Sequence, residues 1–209
     1  MSATESQSKP VTVHLVRHGQ ATSNLAALDV GREAYKLEEH LDARLTALGR
    51  EQARGAGRLL GAMEESVQLV LSSPLTRALS TADEAVAGVV PETVPRVILP
   101  LLRERLGVHP CDRRRPWSEI AAEHSPLWDA RLVATDHDAL WEADVRETDG
   151  QIKARAREAI DWLSKRQEDH VAVFAHSSFL QAFLNVHVGE KTYLENGQLR
   201  TVTIPRTTE

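Results

Sequence analysis

"HLVRHGQATSN", residues 14–24, sets an Arg, a His and a Gly directly behind a short apolar run. The run begins at "VTVHLV", 11–16, where β-branched residues and shortness predict a strand. A helix is expected to start near Ser23-Asn24 and continue through "LAAL". Arg17-His18-Gly19 would then lie at the carboxyl end of a strand, where open α/β sheets bind their ligands. Three residues cannot by themselves separate a working site from a polar turn. The rest of the chain has to supply the other parts.

Periodicity marks the later elements. In "LTALGREQARGAGRLLGAM", 45–63, Leu48, Ala53, Ala56, Leu59, Leu60 and Met63 recur at helical steps, as an amphipathic helix requires. "QLVLSS", 68–73, reads as a second buried strand, and "PLTRALSTADEAVAGV" as a helix with Pro74 in its first turn. "PRVILPLL", 95–102, is a third strand candidate. A helix over 147–166, a fourth strand "HVAVFAHSS", 170–178, a helix over 178–187 and a final strand "LRTVTI", 199–204, complete the series. Such alternation predicts an α/β fold, a three-layer αβα sandwich with a mainly parallel central sheet. Residues 1–209 are expected to form a single domain. Residues 1–10, Ser/Thr/Gln-rich, are expected to be disordered, and the irregular stretch 107–145 to be a small lid insertion.

Composition excludes several classes. The chain has 209 residues, 42% hydrophobic and 26% charged, which suits a globular protein with its own core. A net charge of −5 argues against nucleic acid or an anionic membrane as partner. Cys111 stands alone, so no intrachain disulfide and no Cys-based metal site can form. The stretch "MSATESQSKP" lacks the apolar core of a secretory signal, and a cytoplasmic protein is expected. The sequence does not set the oligomeric state.

Each expected strand leads to chemistry-bearing residues. The first delivers Arg17 and His18, the second Arg77, the third Arg103 and Glu104, and the fourth His176 and Ser177. Two imidazoles, several guanidiniums and a carboxylate on one sheet edge suit phosphoryl transfer. Guanidinium forks match phosphate oxygens, and a neutral imidazole is a competent nucleophile near pH 7. A carboxyl group can protonate a leaving alkoxide and later activate water. Gly19 would let the backbone approach a phosphate closely.

Five segments, in order, carry a resemblance: "LVRHGQATSN", "DARLTALGREQA" (42–53), "VLSSPLTRALSTA" (70–82), "LLRERLG" (101–107) and "VFAHSSFL" (173–180). Together they resemble the motifs of the histidine phosphatase superfamily, the phosphoglycerate mutase-like family, over roughly Val11 to Ile204. The resemblance implies that His18 is a nucleophile that becomes phosphohistidine. It implies that Arg17, Arg77 and His176 hold phosphoryl oxygens, with Asn24 at the rim and the Ser177 amide donating. Glu104 is implied as general acid and then base, with no metal and no cofactor. The implied partner is a small-molecule phosphate ester.

Two departures stand out: Ser177-Ser178 where many members have Gly, and Gln20 where Glu is common. "GVHPCDRRRPWSEI", 107–120, resembles a subgroup of plant, fungal and protist mutase-like proteins, and its short insertion favours hydrolysis over the mutase reaction. A mutase-type phosphotransferase and a non-catalytic phospho-ligand-binding module are the alternatives. Arg113 and Arg114 are candidates to reach from the lid and grip a second anionic group, the competing reading being a solvated charge run. Cys111 is expected to be an inert packed thiol, and His14 a satisfied core or interface histidine. His109, His124 and His137 lack metal-ligand spacing, and Trp117, Trp128 and Trp141 are expected to anchor the lid.

Overall fold

Val11, Val13 and Leu15 face one side of strand β1 (Val11–Arg17) while Val16 faces the other, the period-two alternation of a strand buried on both faces. The computed structural model describes residues 9–207. The segment expected to be disordered, 1–10, lies outside the described residues except for Lys9 and Pro10, both exposed.

The order continues with α1 (Thr22–Val30), α2 (Ala47–Gly61), β2 (Leu69–Ser72), α3 (Thr76–Val86), β3 (Arg96–Ile98) and α4 (Trp117–Glu123). It ends with β4 (Trp128–Asp129), α5 (Asp149–Ser164), β5 (His170–Ala175), α6 (Ser177–Val188) and β6 (Leu199–Ile204). The strands form one sheet in the order β4-β3-β2-β5-β1-β6. Every pairing is parallel except β1 with β6.

Helices cover both faces. Ile152, Ala156, Ala159 and Leu163 of α5 and Phe179, Leu180, Phe183 and Leu184 of α6 pack against Val13, Leu15, Leu71 and Val173. On the opposite face Leu60 of α2, Leu79, Ala82 and Val86 of α3 and Ile120 of α4 pack against Val16, Val70, Ala172 and Phe174. Three layers result, as the alternation of elements predicts.

Several boundaries shift for identifiable reasons. The third strand is shorter than 95–102: it ends at Ile98, and Pro100, without an amide for the ladder, opens a 3₁₀ turn over Pro100–Leu102. The fourth expected strand stops at Ala175, because His176 caps α6. Helix α3 starts at Thr76, so Pro74 precedes it instead of sitting in its first turn. Part of the 107–145 stretch belongs to the sandwich itself. There α4 covers the sheet and β4 pairs with β3, with Trp128 buried and its Nε1 donating to Asp83 Oδ1 at 2.8 Å.

Candidate active site

Strands β1 and β5 are neighbours in parallel register, Arg17 opposite Ala175. The next residues along each, His18 and His176, therefore emerge side by side at the carboxyl edge of the sheet. The His18 amide donates to the Ala175 carbonyl at 3.0 Å, and the two imidazole centroids are 5.1 Å apart. Two residues separated by most of the chain meet because one ladder sets both.

His18 is 3% exposed. Its Nδ1 lies 2.7 Å from the Gly19 carbonyl, a contact that assigns the proton to Nδ1 and leaves Nε2 as an acceptor. That Nε2 accepts from Arg77 Nε at 3.2 Å. Burial, followed by the charges of Arg77 and Arg17, holds the His18 pKa well below the usual imidazole value. His176 is fully buried, and its Nε2 hydrogen-bonds with Ser73 Oγ at 2.8 Å. Its Nδ1 has no partner among the described residues. Burial, then Arg77 and His18, lowers its pKa in the same way.

Arg77 stands in the first turn of α3, and the start of that helix is pinned. Asp42 accepts from the Thr76 amide at 2.9 Å and the Thr76 hydroxyl at 2.6 Å. The Arg77 guanidinium donates to the Cys111 carbonyl and to Asp112 Oδ1, the latter at 2.8 Å. Burial opposes its charge, yet Asp112 and its neighbours outweigh burial and raise its pKa. For Asp112 burial favours the acid form. The His109 ring, 3.7 Å from its carboxylate, and the Arg77 and Arg146 charges overcome it, and its pKa falls below the ordinary carboxylate value. Arg17 donates through one terminal nitrogen to the Leu194 carbonyl at 2.8 Å, and its buried Nε is unpartnered among the described residues.

The "LTxxGxxQA" pattern acquires a physical meaning here. Thr46 caps α2 by accepting from the Gly49 amide at 3.0 Å, and its hydroxyl donates to Gln20 Oε1 at 2.8 Å. Gln52 Oε1 accepts from the Gln20 amide at 2.8 Å. A Cβ on Gly19 would lie 2.1 Å from the Gly49 carbonyl oxygen, and one on Gly49 would lie 2.1 Å from that of Gln20. Two backbones touch, so neither position admits a side chain. Gly19 is needed for this seam with α2.

These groups surround a cavity of about 390 Å³. Arg17, His18, Asn24, Arg77, Glu104 and Ser177 all line it, while His176 is not among the lining residues and lies beside His18, ring centroids 5.1 Å apart. Asn24 Oδ1 accepts from the Ala21 amide at 3.0 Å. The Glu104 carboxylate accepts from the Arg105 amide at 2.8 Å and from the Ser178 amide, at the N-terminus of α6, at 3.1 Å. The backbone amide of Ser177 opens the same helix, whose positive end faces the cavity.

The two lid arginines are a correction. Arg113 turns outward, pairing with Glu38 at 2.7 Å and lying over the Trp141 ring at 4.9 Å. Arg114 is buried, and its guanidinium donates to the carbonyls of Arg115, Thr135, Asp136 and His137. Neither lines the cavity. Their expected place at the rim is taken by Arg32, Tyr35, Arg146 and Tyr193, none of which falls in a recognisable motif. Asp112 is held by Arg77 and by Arg146. Cys111 is buried, and burial pushes its thiol pKa up.

Residues 13–203 match the histidine phosphatase superfamily (branch 1). The chain belongs to this superfamily. An Arabidopsis thaliana phosphoglycerate mutase-like protein is 34% identical, over 83% of this chain and 73% of its own length. A second such protein from the same plant, phosphoglycerate mutase-like protein 1, is also 34% identical, over 83% and 71%. Among solved structures, a mycobacterial glucosyl-3-phosphoglycerate phosphatase shares the histidine phosphatase fold with a TM-score of 0.57 at 24% identity, covering 91% of this chain and 90% of its own. The ecdysone phosphate phosphatase of Bombyx mori aligns with a TM-score of 0.58 at 17% identity, covering 95% and 87%. Among the described residues no helix of this histidine phosphatase superfamily member is long and apolar enough to cross a membrane.

Proposed function

We propose that this protein is a metal-independent phosphatase that hydrolyses a small anionic phosphate monoester through a phosphohistidine on His18. The observation that carries the reading is His18 itself. It is a buried imidazole, tautomerically fixed by Gly19, with Nε2 turned to Arg77 inside a cavity lined by a second arginine and by Glu104.

The first step transfers the phosphoryl group from the ester oxygen to His18 Nε2, forming a P–N bond as the P–O bond breaks. Glu104 in its acid form gives its proton to the departing alkoxide. In the second step Glu104 takes a proton from water, the water oxygen attacks phosphorus, and the P–N bond breaks to return neutral His18 and inorganic phosphate. A neutral imidazole is needed at the start, and burial beside two guanidiniums supplies one. Arg17 and Arg77, the unpartnered His176 Nδ1, the Asn24 amide and the Ser177 amide receive the phosphoryl oxygens. Charge developing on those oxygens meets fixed guanidiniums and a helix N-terminus, so the site needs no metal ion to balance it.

Arg32, Arg146, Tyr35 and Tyr193 offer hydrogen-bond donors at the outer end of the cavity, which suits a leaving group with its own negative charge. This role passes to them from Arg113 and Arg114. The test is hydrolysis of an aryl phosphate. Wild-type activity should persist in EDTA and vanish in His18→Ala, whereas activity that requires an added metal overturns the reading. The relatives' mutase-like names suggest phosphotransfer within phosphoglycerate, and isomerised product instead of free phosphate would establish it.

A further inference from the structure

The side chain of Arg155, on α5, lies outside the cavity and is nearly buried, 12% exposed. All its nitrogens are engaged. One terminal nitrogen donates to the Leu101 carbonyl at 2.7 Å and to the Arg103 carbonyl at 2.6 Å. The other donates to the Glu104 carbonyl at 3.2 Å and to Glu147 Oε2 at 2.6 Å, and Nε donates to Glu147 Oε1 at 3.0 Å. The guanidinium plane lies against the Phe179 ring of α6, 5.2 Å from its centroid. Glu147 completes the grip: its Oε2 accepts from the Leu106 amide at 3.0 Å, and its own amide donates to the Leu106 carbonyl.

One buried ion pair thus takes three carbonyls and one amide from the six residues 101–106, which include Glu104. A clamp of this kind is an expensive way to gain stability, since desolvating both ions offsets most of their attraction. What it supplies is position. The planar fork presents five donors in a rigid geometry, enough for the three carbonyls and both oxygens of Glu147 at once, where an ammonium has only three. The far side of the same stretch is held by Arg103, which is buried, pairs with Asp138 on both oxygens and donates to the Asp112 carbonyl at 2.9 Å. The Glu104 carboxylate, aimed by the Ser178 amide, is therefore the tip of a segment fixed from both sides.

We propose that Arg155, together with Glu147, is a positioning residue for proton transfer by Glu104, setting the depth at which that carboxyl meets the leaving-group oxygen. This rests on the reading of Glu104 as general acid. Neither residue lines the cavity, so neither takes a direct part in holding the phosphate.

The test uses the leaving group. An alkyl ester such as glycerol phosphate needs its alkoxide protonated, while p-nitrophenyl phosphate releases a stable phenolate and does not. For Arg155→Lys, kcat/KM should fall about thirty- to a hundredfold on the alkyl ester but within about threefold on the aryl ester, as expected for a misplaced acid. Inhibition by inorganic phosphate should stay unchanged. Glu104→Gln should show the same selectivity, more strongly. Should Arg155→Lys fail to fold, Glu147→Gln carries the same prediction with the guanidinium retained. Equal losses on both esters, or none, would overturn the positioning role. A wild-type chain inert on both esters would instead overturn the hydrolase reading, and a Glu104→Gln variant without selectivity would overturn the assignment of the acid.

Discussion

Replacing Gly49 by Ala presses a methyl group into the seam between α2 and the loop that carries His18. The added Cβ would sit 2.1 Å from the Gln20 carbonyl oxygen, and real contacts of this kind do not fall under 3.0 Å, so the two backbones must part by about 0.9 Å. No flexible side chain is there to yield. Such overpacking costs about 1–3 kcal/mol, which for a chain of this size lowers Tm by roughly 2–4 °C for each kcal/mol. The bonds from the Gln20 amide to Gln52 and from the Thr46 amide to the Gln20 carbonyl lengthen together. A shift near 1 Å at the nucleophile can cost about a hundredfold in rate, so activity should fall further than stability implies. Gly19→Ala strains the same seam, and the double variant should cost less than the two singles together, a negative coupling of about 1 kcal/mol. Thermal denaturation with kcat/KM on an aryl phosphate measures both effects. A Gly49→Ala protein with wild-type Tm and wild-type rate would refute the packing account of the motif.

Arg113→Ala should leave kcat/KM within about twofold, as expected for an exposed ion pair, whereas Arg114→Ala should lower Tm by leaving four carbonyls without the guanidinium that satisfies them. Arg32→Gln should lower kcat/KM on 3-phosphoglycerate while sparing glycerol 3-phosphate, because the two differ by one carboxylate; equal losses would remove Arg32 from substrate binding. His18 is held neutral below the usual imidazole range. On the aryl ester, whose leaving group needs no proton from Glu104, kcat/KM corrected for ionisation of the ester should therefore change less than about twofold between roughly pH 7 and 5.5. A limb with a midpoint near 6.5 would contradict this. His14, buried with its Nδ1 on Thr201 and stacked on His170, has its pKa pushed down to about 4 by burial and by that neighbour. The unfolded chain therefore binds the proton first, and stability should decline as pH falls from about 6.5 towards 4. His14→Gln, read by denaturation at several pH values, should flatten that decline.

What could be read from the sequence was whatever obeys a local rule. Val11 to Val16 alternate, the residues of α2 recur at helical steps, and strand ends in an α/β sheet converge on one edge. These rules alone bring Arg17, His18, Arg77, Glu104, His176 and Ser177 together. The lid arginines failed because their partners are carbonyls, and a backbone carbonyl leaves no trace in the residue alphabet. Arg114 donates to four carbonyls, those of residues 135–137 and of its neighbour Arg115. Arg155 was invisible for the same reason, standing in "IKARAREAI" like any arginine of a solvated helix. Arg32, Tyr35 and Tyr193 reach the cavity from 3₁₀ and irregular segments whose placement depends on tertiary packing. The two-residue strand β4 is too short to alternate, and only its pairing with β3 defines it.

Rapid mixing with a ³²P-labelled ester, followed by an alkaline quench and peptide mapping, tests the role of His18 most directly. A phosphorylated imidazole should appear within the first turnover, approaching one equivalent, stable to base, lost in acid and confined to the peptide bearing residue 18. Steady release of phosphate with no such adduct, or label on any other side chain, would contradict the account.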